Sequence, residues 1–500
     1  MTLSANTPSV ECDRPESGRA ANERWRAVTT EIAVMNRQGI ALAADSAVTI
    51  GRERVWKTAN KLFSLGPHND IGIMTFGSGD FLSVPWETIV KTFRARNGAN
   101  KFSTVKDSAD AFVSYIKSGL FKSQRQEQLS ILPLFVYQIH KIKRDLNTSY
   151  KTKTEFKSKL DDRINISLER VKKDNIFITD FDEKQFMGTY SASIIDLTND
   201  AFKERLPKAM QNKIIQLCYE AFRREVTSLY ETGIVVAGFG MDEFFPSVVT
   251  YIVDGFDNGR LRAWIDDDYS ANLNPPSDST ATIIPFGQDD IAALFLEGIA
   301  KSHLRWINRA LKTIFDDRSS KLCNSYIKDD DERLVEQGLQ KTENREIIRL
   351  LNEEFARYRE NNLVQKIMGV VESLPKEEMV VLAESLVELT SLRRKMDSKL
   401  ESVGGPTDVA IISKGDGLIW KNRKHYFDIS LNGDYILRKK LQLSLGEDDE
   451  TGDHAVKLAT GSSVSDTSSI SAIEPGIRLA RRGGRARRQA NNQENRRTPQ

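Results

Sequence analysis

The pattern of apolar and polar positions changes character several times along the chain. Between residues 29 and 80 the apolar stretches are short: "TEIAVMN", "GIALAADSAVTI", "NKLFSLG" and "DIGIMTFGS", punctuated by Gly39, Gly51, Gly66-Pro67 and Gly77. Short runs bounded by glycine predict strands joined by tight turns. From about 85 to 230 the spacing becomes helical. "SVPWETIVKTFRAR" carries an apolar stripe at Val84, Ile89, Val90 and Phe93 with a proline in its first turn, and "SADAFVSYIKSGLF" and "KAMQNKIIQLCYEAFRREVTSLY" are amphipathic. Strands return with "TGIVVAGFG", "PSVVTYIVDG", "GRLRAWI" and "TATIIPFG". A second helical block spans about 288 to 400. In it "SLPKEEMVVLAESLVELTSLRRKM" has acids in the first turn and bases in the last, the order that the helix dipole favours. "TDVAIISKGDGLIW" predicts two strands across a Lys414–Gly417 turn, and "HYFDI" one more.

Strands, helices, strands, helices, strands in that order predict a layered α+β domain rather than alternating βαβ units. The chain has 500 residues, room for one enlarged domain with insertions. The expected division is one domain over residues 29 to 446, with helical blocks at about 85–230 and 288–400. Residues 1 to 28 are polar, and 447 to 500 are rich in Ser, Thr and Arg; both read as disordered.

Composition narrows the function. Seventy-two basic and 70 acidic residues leave a formal charge of +2, which names no partner. The tail "RLARRGGRARRQANNQENRR" is basic but has no interleaved aromatics to stack on bases, so nucleic acid is not the expected partner. Three scattered cysteines, Cys12, Cys218 and Cys323, fit a reducing, cytoplasmic setting. The five histidines show no metal-ligand spacing, so no metal site is expected. No apolar run approaches the roughly 18 to 20 residues that span a bilayer, and the first 28 residues lack the apolar core of a secretory signal.

Candidate chemistry lies in "AVTTEIAVMN". A threonine hydroxyl is a nucleophile only beside a base. If Thr29 were the first residue of the mature chain, its own α-amine, with a reference pKa of about 7.7 to 8.0, would be that base. A nearby lysine would depress the amine pKa, and a carboxylate would hold the lysine. Lys61 and Asp45 supply the two groups. "GSGD" at 77–80 lacks the Lys-Ser/Thr of a phosphate loop.

"TTEIAVMNRQGIALAADSAVTIG…NKLFSLG" resembles the N-terminal stretch of proteasome β-subunits and of the bacterial HslV-type peptidase, the threonine-type N-terminal-nucleophile hydrolases. The resemblance implies Thr29 as nucleophile, Asp45 as the acidic partner and Lys61 as the lysine, with Thr49 and Gly51 matching the turn between them. It carries the oxyanion-binding N–H onto Gly77 in "IMTFGSGD". Weaker likeness returns at "GIVVAGFGMDEFFPSVVTYIVDG" and "GGPTDVAIISKGDGLIW". The implied fold is a four-layer αββα sandwich with enlarged helical insertions. The implied activity is hydrolysis of peptide bonds without metal or organic cofactor, in a ring-forming homo-oligomer, with an unfoldase as a candidate partner.

The sequence departs from that pattern at two places. Phe286 stands where a serine would help to orient the threonine, although Gly287 is kept. Leu400 and Val403 stand where an Asp and a Ser would precede Gly-Gly, with Asp397, Glu401 and Ser402 as nearby substitutes. Two other readings therefore stand beside the peptidase: a catalytically silent assembly or binding module, and a non-proteolytic amidase. For residues 1 to 28 the expectation is a self-cleaved propeptide, or a misread start in which a GTG codon at Val28 supplies the initiator methionine.

Overall fold

The structure, a computed structural model, describes residues 29 to 437 apart from 51–53, 57, 67, 120–122, 147–151, 229, 258, 397–403, 426 and 436. The expectations for the leader, the tail, Gly51, Asp397, Leu400, Glu401, Ser402 and Val403 lie outside the described residues.

The strand-rich opening comprises β1 (Thr30–Asn36), β2 (Gly39–Ala44), β3 (Val48–Ile50), β4 (Arg54–Trp56), β5 (Leu62–Ser64), β6 (Asp70–Gly77), β7 (Asp80–Phe81) and β8 (Val84–Pro85). Helices α1 (Trp86–Asn97), α2 (Val105–Ser118), α3 (Gln124–Asp145), α4 (Lys153–Val171), α5 (Glu183–Phe202) and α6 (Lys208–Arg223) follow. Next come β9 (Thr232–Phe239), β10 (Ser247–Asp257), β11 (Arg260–Ile265), β12 (Ala271–Asn272) and β13 (Ala281–Gly287). The second helical block is α7 (Asp290–Glu297), α8 (Lys301–Tyr326), α9 (Asp330–Arg359), α10 (Gln365–Ser373) and α11 (Lys376–Met396), and β14 (Asp408–Ser413) and β15 (Gly417–Asn422) close the sheets.

The fold is α+β with antiparallel sheets. A five-stranded sheet runs β13-β1-β2-β14-β15 and a six-stranded sheet β11-β10-β9-β6-β5 with β12 beside β10, while β3-β4 and β7-β8 form two-stranded sheets. Both faces of β1 are buried. Ala33 and Met35 share a core with Leu62, Met74, Phe76 and Val235 of the other sheet, while Ile32 and Val34 pack against Met379, Ala383 and Val387 of α11. The second sheet turns Ile71, Ile73, Ile234 and Val236 toward Phe93 of α1 and Phe112 of α2. Cross-strand register thus decides which residues of β1 meet the other sheet.

Helices α3 to α6 keep a core of their own around Phe135, Phe186, Tyr190 and Phe222. Arg262 of β11 ties this bundle to the sheet. Its guanidinium is fully buried, donates to the carbonyls of Ala221, Arg224 and Val226, and lies 3.6 Å from Asp254. The rings of Phe177, Phe222 and Trp264 surround it. The paired helices α8 and α9 differ: Cys323 and Asn344 are their buried residues, and Trp306, Ile314, Leu334, Leu339 and Tyr358 are exposed.

Local signals explain the helix starts. Thr104 with Asp107 and Ser123 with Gln126 form reciprocal capping boxes at α2 and α3. Two sequence rules fail. Pro133 stands inside α3 without ending it. The strand expected at "HYFDI" does not form among the described residues; Ile429–Leu431 is a 3-10 turn, and Lys424 is drawn instead to Asp408. Among the described residues no helix is long and apolar enough to cross a membrane.

Candidate active site

Thr29 stands immediately before β1. Its carbonyl accepts from the Gln288 N–H at 2.8 Å, and in the β1–β13 register Thr30 lies opposite Gly287. Gly287 has φ +67°, and a Cβ there would approach the Thr29 carbonyl oxygen to 2.3 Å and its Oγ1 to 2.8 Å. Only glycine leaves the threonine this room. Across the gap between the sheets the Gly77 N–H points at Thr29 Oγ1, with N to O 3.4 Å. Gly77 ends β6 with φ +93°, and its own Cβ would fall 2.4 Å from the Glu231 carbonyl oxygen.

Asp45 follows β2. Its Oδ1 accepts from the Thr30 N–H at 3.3 Å and from the Lys61 ammonium; its Oδ2 accepts from the Gly404 N–H at 3.0 Å. Lys61 precedes β5, and its carbonyl is fastened to the Thr75 N–H of β6 at 2.9 Å. The four residues expected from the sequence are therefore neighbours. Thr29 and Asp45 belong to the first sheet, Lys61 and Gly77 to the second.

A fifth residue was not singled out from the sequence. Glu31, two positions beyond Thr29 on the same face of β1, is fully buried with Oε1 2.9 Å from Lys61 Nζ. Its signal was an acid in phase with Ala33 and Met35 on the inward face. Burial pushes its carboxyl from the ordinary 4.5 up to about 7, against the attraction of Lys61. Burial also works against the charge of Lys61, but Asp45 and Glu31 outweigh it and raise the lysine above its ordinary value. Lys61 thus keeps its proton at neutral pH and acts by charge.

The sign of the Glu31 shift fixes a pH dependence. Between about 4.5 and about 7 the folded chain holds a proton that the unfolded chain releases. This stability is complete below about 4.5 and lost as pH rises through about 7. The urea midpoint of the wild type should therefore fall relative to that of Glu31→Gln across this window, by roughly 3 kcal/mol in unfolding free energy. A constant offset between the two would show that Glu31 does not titrate there.

Phe286 is fully buried between the sheets, with ring centroids 5.5 Å from Phe76 and 5.8 Å from Tyr269. It offers no hydrogen bond to Thr29; the Gln288 N–H and the close approach of Gly287 hold that residue instead. Thr29 itself is only 1% exposed. A cavity of about 20 Å³ lined by Lys61, Thr75, Gly77 and Trp86 lies alongside, enough for one water.

Neither a protein-family model nor a curated protein matches the chain. The solved structures similar to it include a chain of the helical Anbu assembly from Pseudomonas aeruginosa. That chain is 10% identical with a TM-score of 0.24, over 84% of this chain and 96% of that one. Anbu (ancestral beta-subunit) from Yersinia bercovieri is 9% identical with a TM-score of 0.23, over 87% and 100%. Both of these chains are Anbu proteins. They correct the membership expected from the sequence: these two neighbours are not HslV-type peptidases, and no family model matches. Likeness this slight carries no argument about activity.

Proposed function

We propose that this chain is a threonine-type N-terminal-nucleophile amide hydrolase, an αββα sandwich over residues 29 to 446, with peptide bonds as its substrate class. The observation that supports it is the Gly77 N–H aimed at Thr29 Oγ1 from the opposite sheet. Oγ1 attacks the amide carbonyl while the freed Thr29 amine takes the hydroxyl proton. Lys61, held charged by Asp45, favours the neutral amine. The Gly77 N–H receives the developing oxyanion, and water then releases the acyl group.

The reading requires a chain that begins at Thr29. Intact mass and N-terminal sequencing of the purified protein should give Thr29 as the first residue, in material that cleaves fluorogenic peptides. A chain that retains residues 1 to 28 and cleaves nothing would overturn it.

One observation favours the second reading, a catalytically silent assembly or binding module. Thr29 is almost wholly enclosed, and the cavity beside it has room for a single water but not for a peptide. The exposed apolar residues of α8 and α9 suit burial against another copy of the chain, so a homo-oligomer belongs with either reading.

A further inference from the structure

Thr29 and Glu31 are two residues apart, so their side chains leave the chain on the same side, toward Gly77 and Lys61 of the opposite sheet; the Thr29 hydroxyl also favours the charged form of the Glu31 carboxylate. Around the pair, the charged side chains of Asp45, Lys61 and Lys424 are already paired. Asp45 accepts from Lys61, the Thr30 N–H and the Gly404 N–H. Lys61 is a permanent cation between two carboxylates. Lys424, the next charge outward, is paired with Asp408. Glu31 keeps acceptor capacity: it is fully buried, and neither of its oxygens meets a donor in hydrogen-bonding geometry. Lys61 lies 2.9 Å from Oε1 but off the hydrogen-bonding direction, so it contributes charge more than a directed bond.

A second buried carboxylate at a single lysine is not required for packing. Desolvating a carboxylate is costly, and an alanine or threonine would fill the same strand position without that cost. Retaining the acid beside a hydroxyl calls for a chemical reason.

We propose that Glu31 is a catalytic residue that accepts the Thr29 hydroxyl proton during attack, alongside or in place of the Thr29 amine. This rests on the reading of Thr29 as nucleophile. As Oγ1 bonds to the amide carbon, its proton passes to a Glu31 oxygen and the carbonyl π pair moves onto the oxyanion at Gly77. Collapse of the tetrahedral adduct breaks the C–N bond, and the departing amine takes the proton back from Glu31. In the second half, water gives its proton to Glu31 and its oxygen to the acyl carbon, and Thr29 Oγ1 leaves with the proton restored. The lysine keeps its charge through both halves. Because Glu31 sits in the strand and not at a chain terminus, this base is present even when the Thr29 nitrogen is in a peptide bond.

The test compares wild type, Glu31→Gln, Glu31→Asp and Thr29→Ala in the full chain. Two readouts are used: the pH profile of kcat/KM on a fluorogenic peptide, and the rate at which a β-lactone acylates Thr29, followed by intact mass. Glu31→Gln should lower both rates by about 10²-fold or more and remove the ionisation near pH 7 from the acid limb. Glu31→Asp, with its carboxylate withdrawn by one methylene, should be slower than wild type yet keep that limb. A Glu31→Gln profile that superimposes on the wild type overturns the role of Glu31 while Thr29 stands. Should Glu31→Gln fail to fold, a Glu31→Asp protein with full rate and an unmoved acid limb overturns the role equally. A wild type that is neither active nor labelled at Thr29 overturns the nucleophile itself, and the inference with it.

Discussion

Thr29→Ala should abolish amide hydrolysis, lowering kcat/KM by roughly 10³- to 10⁶-fold, the range seen when a covalent nucleophile is removed. Alanine cannot form the acyl-enzyme ester. The remaining parts, the Gly77 N–H and the charged Lys61, would still polarise a bound carbonyl but have nothing to deliver to it. The fold should hardly change. The Gln288 N–H to Thr29 carbonyl bond is made by backbone, and what is lost is the 3.4 Å contact with Gly77 and the hydroxyl's support of the Glu31 carboxylate. The melting temperature should therefore stay within a few degrees of the wild type, which separates loss of chemistry from loss of structure. Thr29→Ser, which retains a hydroxyl, should keep measurable activity. Substantial hydrolysis by Thr29→Ala would sink the role assigned to the residue.

The second large effect is on Lys61→Met. Methionine matches the length of the side chain but leaves Glu31 and Asp45 buried without a cation. Breaking a buried pair from one side costs about 3 to 5 kcal/mol. The loss should depend on pH with a definite sign. Without Lys61 the folded chain favours protonation of Glu31 still more, so it binds more protons than the unfolded chain and loses stability as pH rises. Urea unfolding should show the full deficit at pH 8 and a much smaller one near pH 4.5, where Glu31 is neutral in both proteins. Activity should fall at least about 10²-fold, because the charge that tunes the nucleophile has gone. An equal deficit at both pH values would mean that Lys61 is not the counter-ion of these carboxylates.

Much of the fold is legible in the sequence because its signals are local. Glycine-bounded apolar runs mark β1, β2 and β6, and the amphipathic stretches "SADAFVSYIKSGLF" and "KAMQNKIIQLCYEAFRREVTSLY" mark α2 and α6. Sheet order is not legible, since β13 lies beside β1 some 250 residues away and the pairing rests on long-range burial. Within the site, Thr29, Asp45, Lys61 and Gly77 could be proposed from the resemblance of residues 29 to 80 to the threonine-type hydrolases. Glu31 could not, because an acid in an alternating strand reads as solvent-facing. That rule assumes one wet face, and β1 has none. Phe286 was legible as a departure from a pattern. Its contacts with Phe76 and Tyr269 were not, being made across the gap between sheets.

Thr29 and Asp45 ride on one sheet, Gly77 and Lys61 on the other. The aromatic rings of Phe76, Phe286 and Tyr269 act as a spacer between them. On the proposed reading, alignment of Thr29 Oγ1 with the Gly77 N–H is therefore set by how the two sheets are spaced. A slip of one ångström between the sheets would leave every strand intact and still cost orders of magnitude in rate. The interior of the sandwich is in this sense the calibration of the instrument, and heat would put it out of adjustment well before it came apart.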